Sequence, residues 1–291
     1  LPEIFEVSGA VLREVGTTNK TRLADYERAI GPATAAVLRV HPSNFRVVGF
    51  TESVGIAELA ALARSRGLAV IDDIGSCALE PGRPPGVTGE PTIREGLDAG
   101  ADLVLGSGDK LLGGPQCGLL VGTRAAVERL EADPLMRALR VDKMTLAALE
   151  ATLVLALDPV LGARRIPLWA FLSTPPRRLR ARAEGLAAAF RAGPGLEAKV
   201  IETTAVLGGG SVPLEPIPTA AVRVDPPFPA PFASEAAWAR ALRVGDPPVV
   251  PRVQDGAVLF DLRAVAEDED GLLLEAVRRS AGRGAPPPAT S

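Results

Sequence analysis

The sequence predicts an α/β protein in two parts, a large domain on a mostly parallel or mixed sheet followed by a smaller α+β domain. Three observations predict it. Near-continuously apolar runs alternate with amphipathic segments up to about residue 172, the pattern of strands covered by helices on both faces. From Ser173 the texture changes to a proline break, a helix and several shorter β-like pieces. The chain has 291 residues, enough for about two domains. The expected divisions are 1–172, 173–283 and a tail, "GAPPPATS" at 284–291, whose proline and small polar residues predict disorder.

Each element follows from local pattern. "RLADYERAI" (22–30) predicts a helix and "TAAVLRV" (34–40) a buried strand. "SVGIAELAALARSRG" (53–67) is apolar at helical spacing and stops at Gly67. "LAVIDDIG" (68–75) predicts a strand that breaks at Gly75, "TIREGLDAG" a short helix, and "ADLVLGSG" (101–108) and "CGLLVGT" (117–123) two more strands. "RAAVERLEAD" (124–133) and "KMTLAALEATLVLAL" (143–157) predict helices. Beyond the prolines, "RRLRARAEGLAAAFRAG" predicts a helix, and "AKVIET", "TAAVRV", "PPVVPRV" and "AVLFDLRAV" predict β pieces before a last helix near 268–280.

Composition excludes several functions. Net charge is −3, so the chain is not a polycation for nucleic acid. No apolar run reaches the ~20 residues of a membrane span. The single histidine, His41, rules out multi-histidine zinc sites. Cys77 and Cys117 lie far apart in sequence of intracellular character, so reduced thiols are expected.

Ligands of such sheets bind beyond the carboxyl ends of the strands, here "HPSN", "DDIGS" and "GSGDK". The glycines around Lys110 fit neither a P-loop nor a dinucleotide fingerprint: Leu111 stands where each motif needs another residue. They suit a structural loop, or backbone that closely approaches a bulky planar cofactor. Lys110 is then either a solvated lysine or the Schiff-base anchor of pyridoxal phosphate. Ser107 is either a turn serine or a donor to the cofactor phosphate. Asp72 and Asp73 end a strand, where successive residues face opposite ways, so one of the two can serve a cofactor nitrogen. Asp73, beside "IGS", is the candidate. Arg137 and Arg140, at i and i+3, suit either a solvated face or a tetrahedral oxyanion. Arg177, Arg178, Arg180 and Arg182 are expected to form a solvated helix start, with RNA contact as the minor reading.

"REVGTTNKT", "VHPSNFRVVGFT", "DDIGS", "GSGDKLLGGPQCGLLVG" and "ALRVDKMTLAALEATL" together resemble bacterial selenocysteine synthase, the L-seryl-tRNA(Sec) selenium transferase family. The likeness runs in order from about residue 10 to "DGAVLFDLRAV" at 255–265. It implies a fold-type-I pyridoxal-phosphate architecture and conversion of seryl-tRNA(Sec) to selenocysteyl-tRNA(Sec) with selenophosphate as donor. It also implies a cytoplasmic homo-oligomer, a decamer built from dimers. By position, Lys110 looks like the Schiff-base lysine and Asp73 like the pyridinium partner. Arg137 and Arg140 resemble the pair that holds the selenophosphate-type anion, and His41, Ser43 and Asn44 look like part of the cofactor surround. The family's amino-terminal region, with its small tRNA-contacting domain, has no counterpart in the sequence. The chain is therefore expected to be the carboxyl-terminal portion and inactive alone. The alternatives are a related pyridoxal-phosphate lyase acting on a small amino acid or amino-sugar phosphate, and an inactive remnant.

Overall fold

The computed structural model describes residues 2–43, 45, 47–79, 87, 89–208, 212 and 216–282. Asn44 and the expected tail at 284–291 lie outside the described residues. The chain divides into two compact units, Leu1–Ile166 with Gly208–Leu214, and Pro167–Leu207 with Glu215–Ser291.

The first unit runs α1 (Pro2–Val7), α2 (Leu23–Ala29), β1 (Ala36–Val40), α3 (Ile56–Ser65), β2 (Ala69–Gly75), α4 (Ile93–Asp98), β3 (Leu103–Ser107), β4 (Gly118–Gly122), α5 (Arg124–Ala132), α6 (Leu135–Leu139), α7 (Lys143–Ala156) and α8 (Pro159–Arg165). Its sheet is mixed, in the order β1-β2-β3-β4. β1, β2 and β3 pair in parallel, with Val40 opposite Asp73 and Asp73 opposite Leu105. β4 returns antiparallel, with Ser107 opposite Gly118. Parallel pairing follows because α3 and α4 serve as the crossovers. α4 begins with a capping box in which Thr92 and Glu95 each accept the other's backbone N–H, at 3.1 and 2.8 Å.

Burial along β2 alternates, with Val70, Asp72 and Ile74 inside and Ala69, Ile71 and Asp73 half-exposed. Cover on the second face is partial: Leu103 of β3, opposite Ile71, is buried there, while Ala69, Ile71 and Asp73 are half-exposed. Leu59, Ala60 and Ala63 of α3 and Ile93 of α4 join Val37, Val70, Ile74 and Val104 in one core on one face. Apolar runs report that a strand is sticky on both faces, whereas cover depends on which elements come back to it. α1 was not legible in the sequence, and none of its residues is buried.

The second unit holds α9 (Pro167–Ser173), α10 (Pro176–Ala192), β5 (Ala198–Ala205), β6 (Ile217–Val224), α11 (Glu235–Arg243), β7 (Arg252–Gln254), β8 (Ala257–Asp261) and α12 (Asp270–Gly282). Its sheet is antiparallel in the order β5-β6-β8-β7. The "PPVVPRV" piece yields only the end of a strand, because three prolines remove ladder donors and β7 starts at Arg252. The division falls after Ile166 rather than at 172. α9 belongs to the second unit because the Trp169 ring is fully buried there and Arg263 grips the end of the helix. That guanidinium donates to the carbonyls of Phe171 at 2.8 Å and Thr174 at 2.7 Å, and also to that of Pro218. The first two are the orphan carbonyls of a helix C-terminus, and the third lies in β6.

The basic start of α10 is paired rather than free. Arg178 meets Glu267, Arg180 meets Glu184 and Glu202, and Arg182 forks onto Asp270. Three of the four arginines are thus neutralised, which argues against an RNA face. Among the described residues no helix is long and apolar enough to cross a membrane.

The second core is organised by aromatics. Phe190 meets Phe260 edge-on at 5.3 Å, and Trp238 meets Phe260 at 5.8 Å. Replacing Phe190 with Ala removes a fully buried ring and should cost about 3–5 kcal/mol, read as a lowered denaturation midpoint of the second unit in urea. A loss under 1 kcal/mol would show that this core closes over the gap.

Candidate functional site

The carboxyl ends of β1, β2 and β3 bring together most of the residues singled out in the sequence. β2 ends on Gly75 in the left-handed region, at φ +64°, which glycine adopts without strain. A Cβ there would lie 2.8 Å from Ser43 Oγ and 3.6 Å from Lys110 Nζ. Serine hydroxyl and lysine amine therefore converge on the space this glycine leaves open. Two residues on, Cys77 is also left-handed at φ 54° and fully buried.

Lys110 is carried by a loop tied at several points. Leu111 N–H donates to Ser76 C=O at 3.0 Å, Gly113 N–H to Lys110 C=O at 2.9 Å, and Gly114 N–H to Gly108 C=O at 2.9 Å. Leu111 and Leu112 are buried behind it, so the lysine is half-buried on a fixed base. Glycines are needed because neighbours occupy the places of their side chains. A Cβ on Gly106 would lie 2.7 Å from that of Cys77, and one on Gly108 2.6 Å from Cys117 Sγ. Ser107, between them, is half-buried and its carbonyl accepts the Lys110 N–H at 3.4 Å.

The two aspartates have different fates. Asp72 points into the core, is fully buried, and holds the Arg39 guanidinium in a two-point contact at 2.9 and 2.8 Å. Asp73 lies on the half-open face. Its Oδ1 accepts the Gly75 N–H at 3.0 Å and its carbonyl accepts the His41 N–H at 2.7 Å. His41 thereby extends the β1 ladder and sits at the same edge.

Glu90 was not singled out in the sequence, yet it reaches this edge. Its carboxylate is 6% exposed and lies 3.5 Å from His41 Nε2. Burial pushes its pKa up, but the facing His41 ring and the Ser76 hydroxyl outweigh that and hold it below the usual carboxylate range. Nothing local marks Glu90; only the chain's return to the sheet brings it there. Cys77 and Cys117 are both free, and burial, with Cys117 nearby, pushes the Cys77 thiol up to about 12. Such a thiol is inert as a nucleophile.

Arg137 lies in α6 and Arg140 just past its end; both are exposed. No ion pair or hydrogen bond joins either side chain to the Lys110 cluster among the described residues.

The aspartates should separate on mutation. Asp72→Asn strips Arg39 of a buried partner and should cost about 3–5 kcal/mol in chemical denaturation. Asp73→Asn, half-exposed, should cost about 1 kcal/mol or less. Equal losses would show that Asp73 is as structural as its neighbour.

The family model L-seryl-tRNA selenium transferase matches residues 1–266. The L-seryl-tRNA(Sec) selenium transferase of Solidesulfovibrio magneticus is 47% identical over 271 residues, covering 92% of this chain and 57% of the relative. That of Moorella thermoacetica is 46% identical over 279 residues, 95% of this chain and 58% of the relative. The chain thus spans less than three-fifths of the length of these relatives. Among solved structures, D-glucosaminate-6-phosphate ammonia-lyase superposes with a TM-score of 0.58 at 20% identity, covering 96% of this chain and 66% of that one. That likeness is one of fold, the fold-type-I α/β architecture with its smaller α+β unit. With the family model matched over residues 1–266 and identities of 47% and 46% to its curated members, this chain belongs to the L-seryl-tRNA selenium transferase family.

Proposed function

We propose that this chain is the cofactor-bearing portion of an enzyme that converts seryl-tRNA(Sec) to selenocysteyl-tRNA(Sec) with selenophosphate as donor. The observation that carries the reading is the half-buried Lys110 amine at a strand end, beside Ser43 and the open space of Gly75, with no carboxylate paired to it among the described residues. An amine on a fixed loop, facing a cradle that a Cβ would fill, fits pyridoxal phosphate. When bound, that cofactor supplies an electron sink for charge developing at the serine Cα.

The chain's own residues then divide the work. Lys110 would hold the group through Nζ and carry protons at the serine Cα and Oγ. Asp73 would keep a proton on the ring nitrogen, and Ser107, His41 and Asn44 would complete the surround. Arg137 and Arg140 would fork onto the donor's oxyanion. In the net change, the β-hydroxyl leaves with a proton as water, selenium of the donor bonds to Cβ, and water cleaves the donor's Se–P bond to release inorganic phosphate. A cytoplasmic setting and self-association belong to the same reading, with a decamer built from dimers as the proposed assembly. Support for self-association comes from α7, in which Ala156 alone is buried while Met144, Leu146 and Val154 are exposed; exposed apolar side chains gathered on one helix call for a partner.

Borohydride reduction of the protein with pyridoxal phosphate, followed by peptide mapping, should place the label on Lys110 and lose it in Lys110→Ala. Label elsewhere would remove this assignment. Arg137→Ala or Arg140→Ala should cost on the order of 1.5–3 kcal/mol of donor binding, roughly ten- to a hundredfold in donor dependence, with cofactor absorbance unchanged. Parallel loss of both would assign the arginines to the cofactor or the fold.

A further inference from the structure

Glu90 brings a carboxylate into the interior that the functions above leave unused. Its Oε2 is buried without a hydrogen bond, which is a costly state for a charged oxygen. That oxygen faces His41 Nε2 at 3.5 Å, while the fully buried Ser76 hydroxyl serves the carboxylate as well. An ionised carboxylate only accepts hydrogen bonds, so the contact is favourable only when Nε2 carries the proton. The hydrogen bond made by one imidazole nitrogen decides the state of the other. His41 is itself pinned at the backbone, through its N–H to Asp73 C=O at 2.7 Å, so the ring swings from a fixed Cα and Glu90 is the contact that orients it.

We infer that Glu90 is a positioning residue: its buried carboxylate holds the His41 ring through Nε2–H, fixing the protonated nitrogen and the ring's place at the carboxyl edge of the sheet. The inference rests on the proposed place of His41 in the cofactor surround. It assigns Glu90 no contact with the cofactor or the substrate; the residue acts through His41.

A double-mutant cycle tests it. Glu90→Ala, Glu90→Gln and His41→Gln are compared singly and combined in the purified protein, with pyridoxal phosphate affinity read by equilibrium dialysis. Glu90→Ala should weaken the cofactor roughly fivefold, while Glu90→Gln, which keeps an acceptor oxygen, stays within about twofold of wild type. In the His41→Gln background, Glu90→Ala should change affinity by less than about twofold. Should Glu90→Ala fail to fold, Glu90→Leu takes its place because it fills the volume without an acceptor. Equal losses in both backgrounds would show that Glu90 supports the fold and not the ring, and no loss in either would show that it is idle; each overturns the inference. If the wild-type protein binds no pyridoxal phosphate, the cofactor reading falls separately. The cycle is then read in thermal midpoints, where Glu90→Ala should cost less once His41 is gone, and equal costs overturn the inference.

Discussion

The site depends on a place where nothing larger than hydrogen can stand. β2 must turn out of the sheet at Gly75, and the left-handed φ of +64° there leaves the space on which Ser43 and Lys110 converge. A methyl at this position would meet the Ser43 hydroxyl at 2.8 Å and strain the backbone as well. The Lys110 loop depends on the same turn, because Leu111 hangs from the Ser76 carbonyl. Without the turn there is no fixed base for the amine.

The strand period then sorts charge between stability and chemistry. Asp72 and Asp73 are chemically equal neighbours, but one points to the core and the other to the open edge. In the core, Asp72 can exist as an anion because Arg39 forks onto it; an unpaired charge there would be prohibitive. At the edge, Asp73 spends one oxygen and its carbonyl on backbone N–H groups. The same backbone bond that orients Asp73 carries His41 to the site, so strand pairing and site assembly are one event.

The second unit is stabilised differently. Its core rests on a ring cluster of Phe190, Trp238 and Phe260, unusual in a chain that is only 4% aromatic. Around it, arginines act as connectors rather than as a field: Arg182 and Arg263 satisfy carbonyls that helix ends and turns leave open. A run that looks basic along the sequence is close to neutral once its carboxylates are in place. Charge counted along a chain misleads because the partners of Arg178 and Arg182, Glu267 and Asp270, are nearly ninety positions away.

The sequence by itself determined the alternation of strands and helices in the first unit, the break at Gly75, the lysine loop and the opposite facing of Asp72 and Asp73. These are local matters, set by side-chain period, turn chemistry and the intolerance of glycine-lined backbone for larger residues. It did not determine α1, which buries nothing, or how little of "PPVVPRV" becomes strand. Nor did it show which face of the sheet is covered, where the units divide, or that Glu90 meets His41. Tertiary structure decided those, because each depends on distant segments returning to one place. Gly208–Leu214 joins the first unit from within the sequence of the second, and Glu90 faces an imidazole forty-nine positions earlier in the chain. Periodicity reports which side of a strand or helix is apolar; it carries no record of what will come to lie against it.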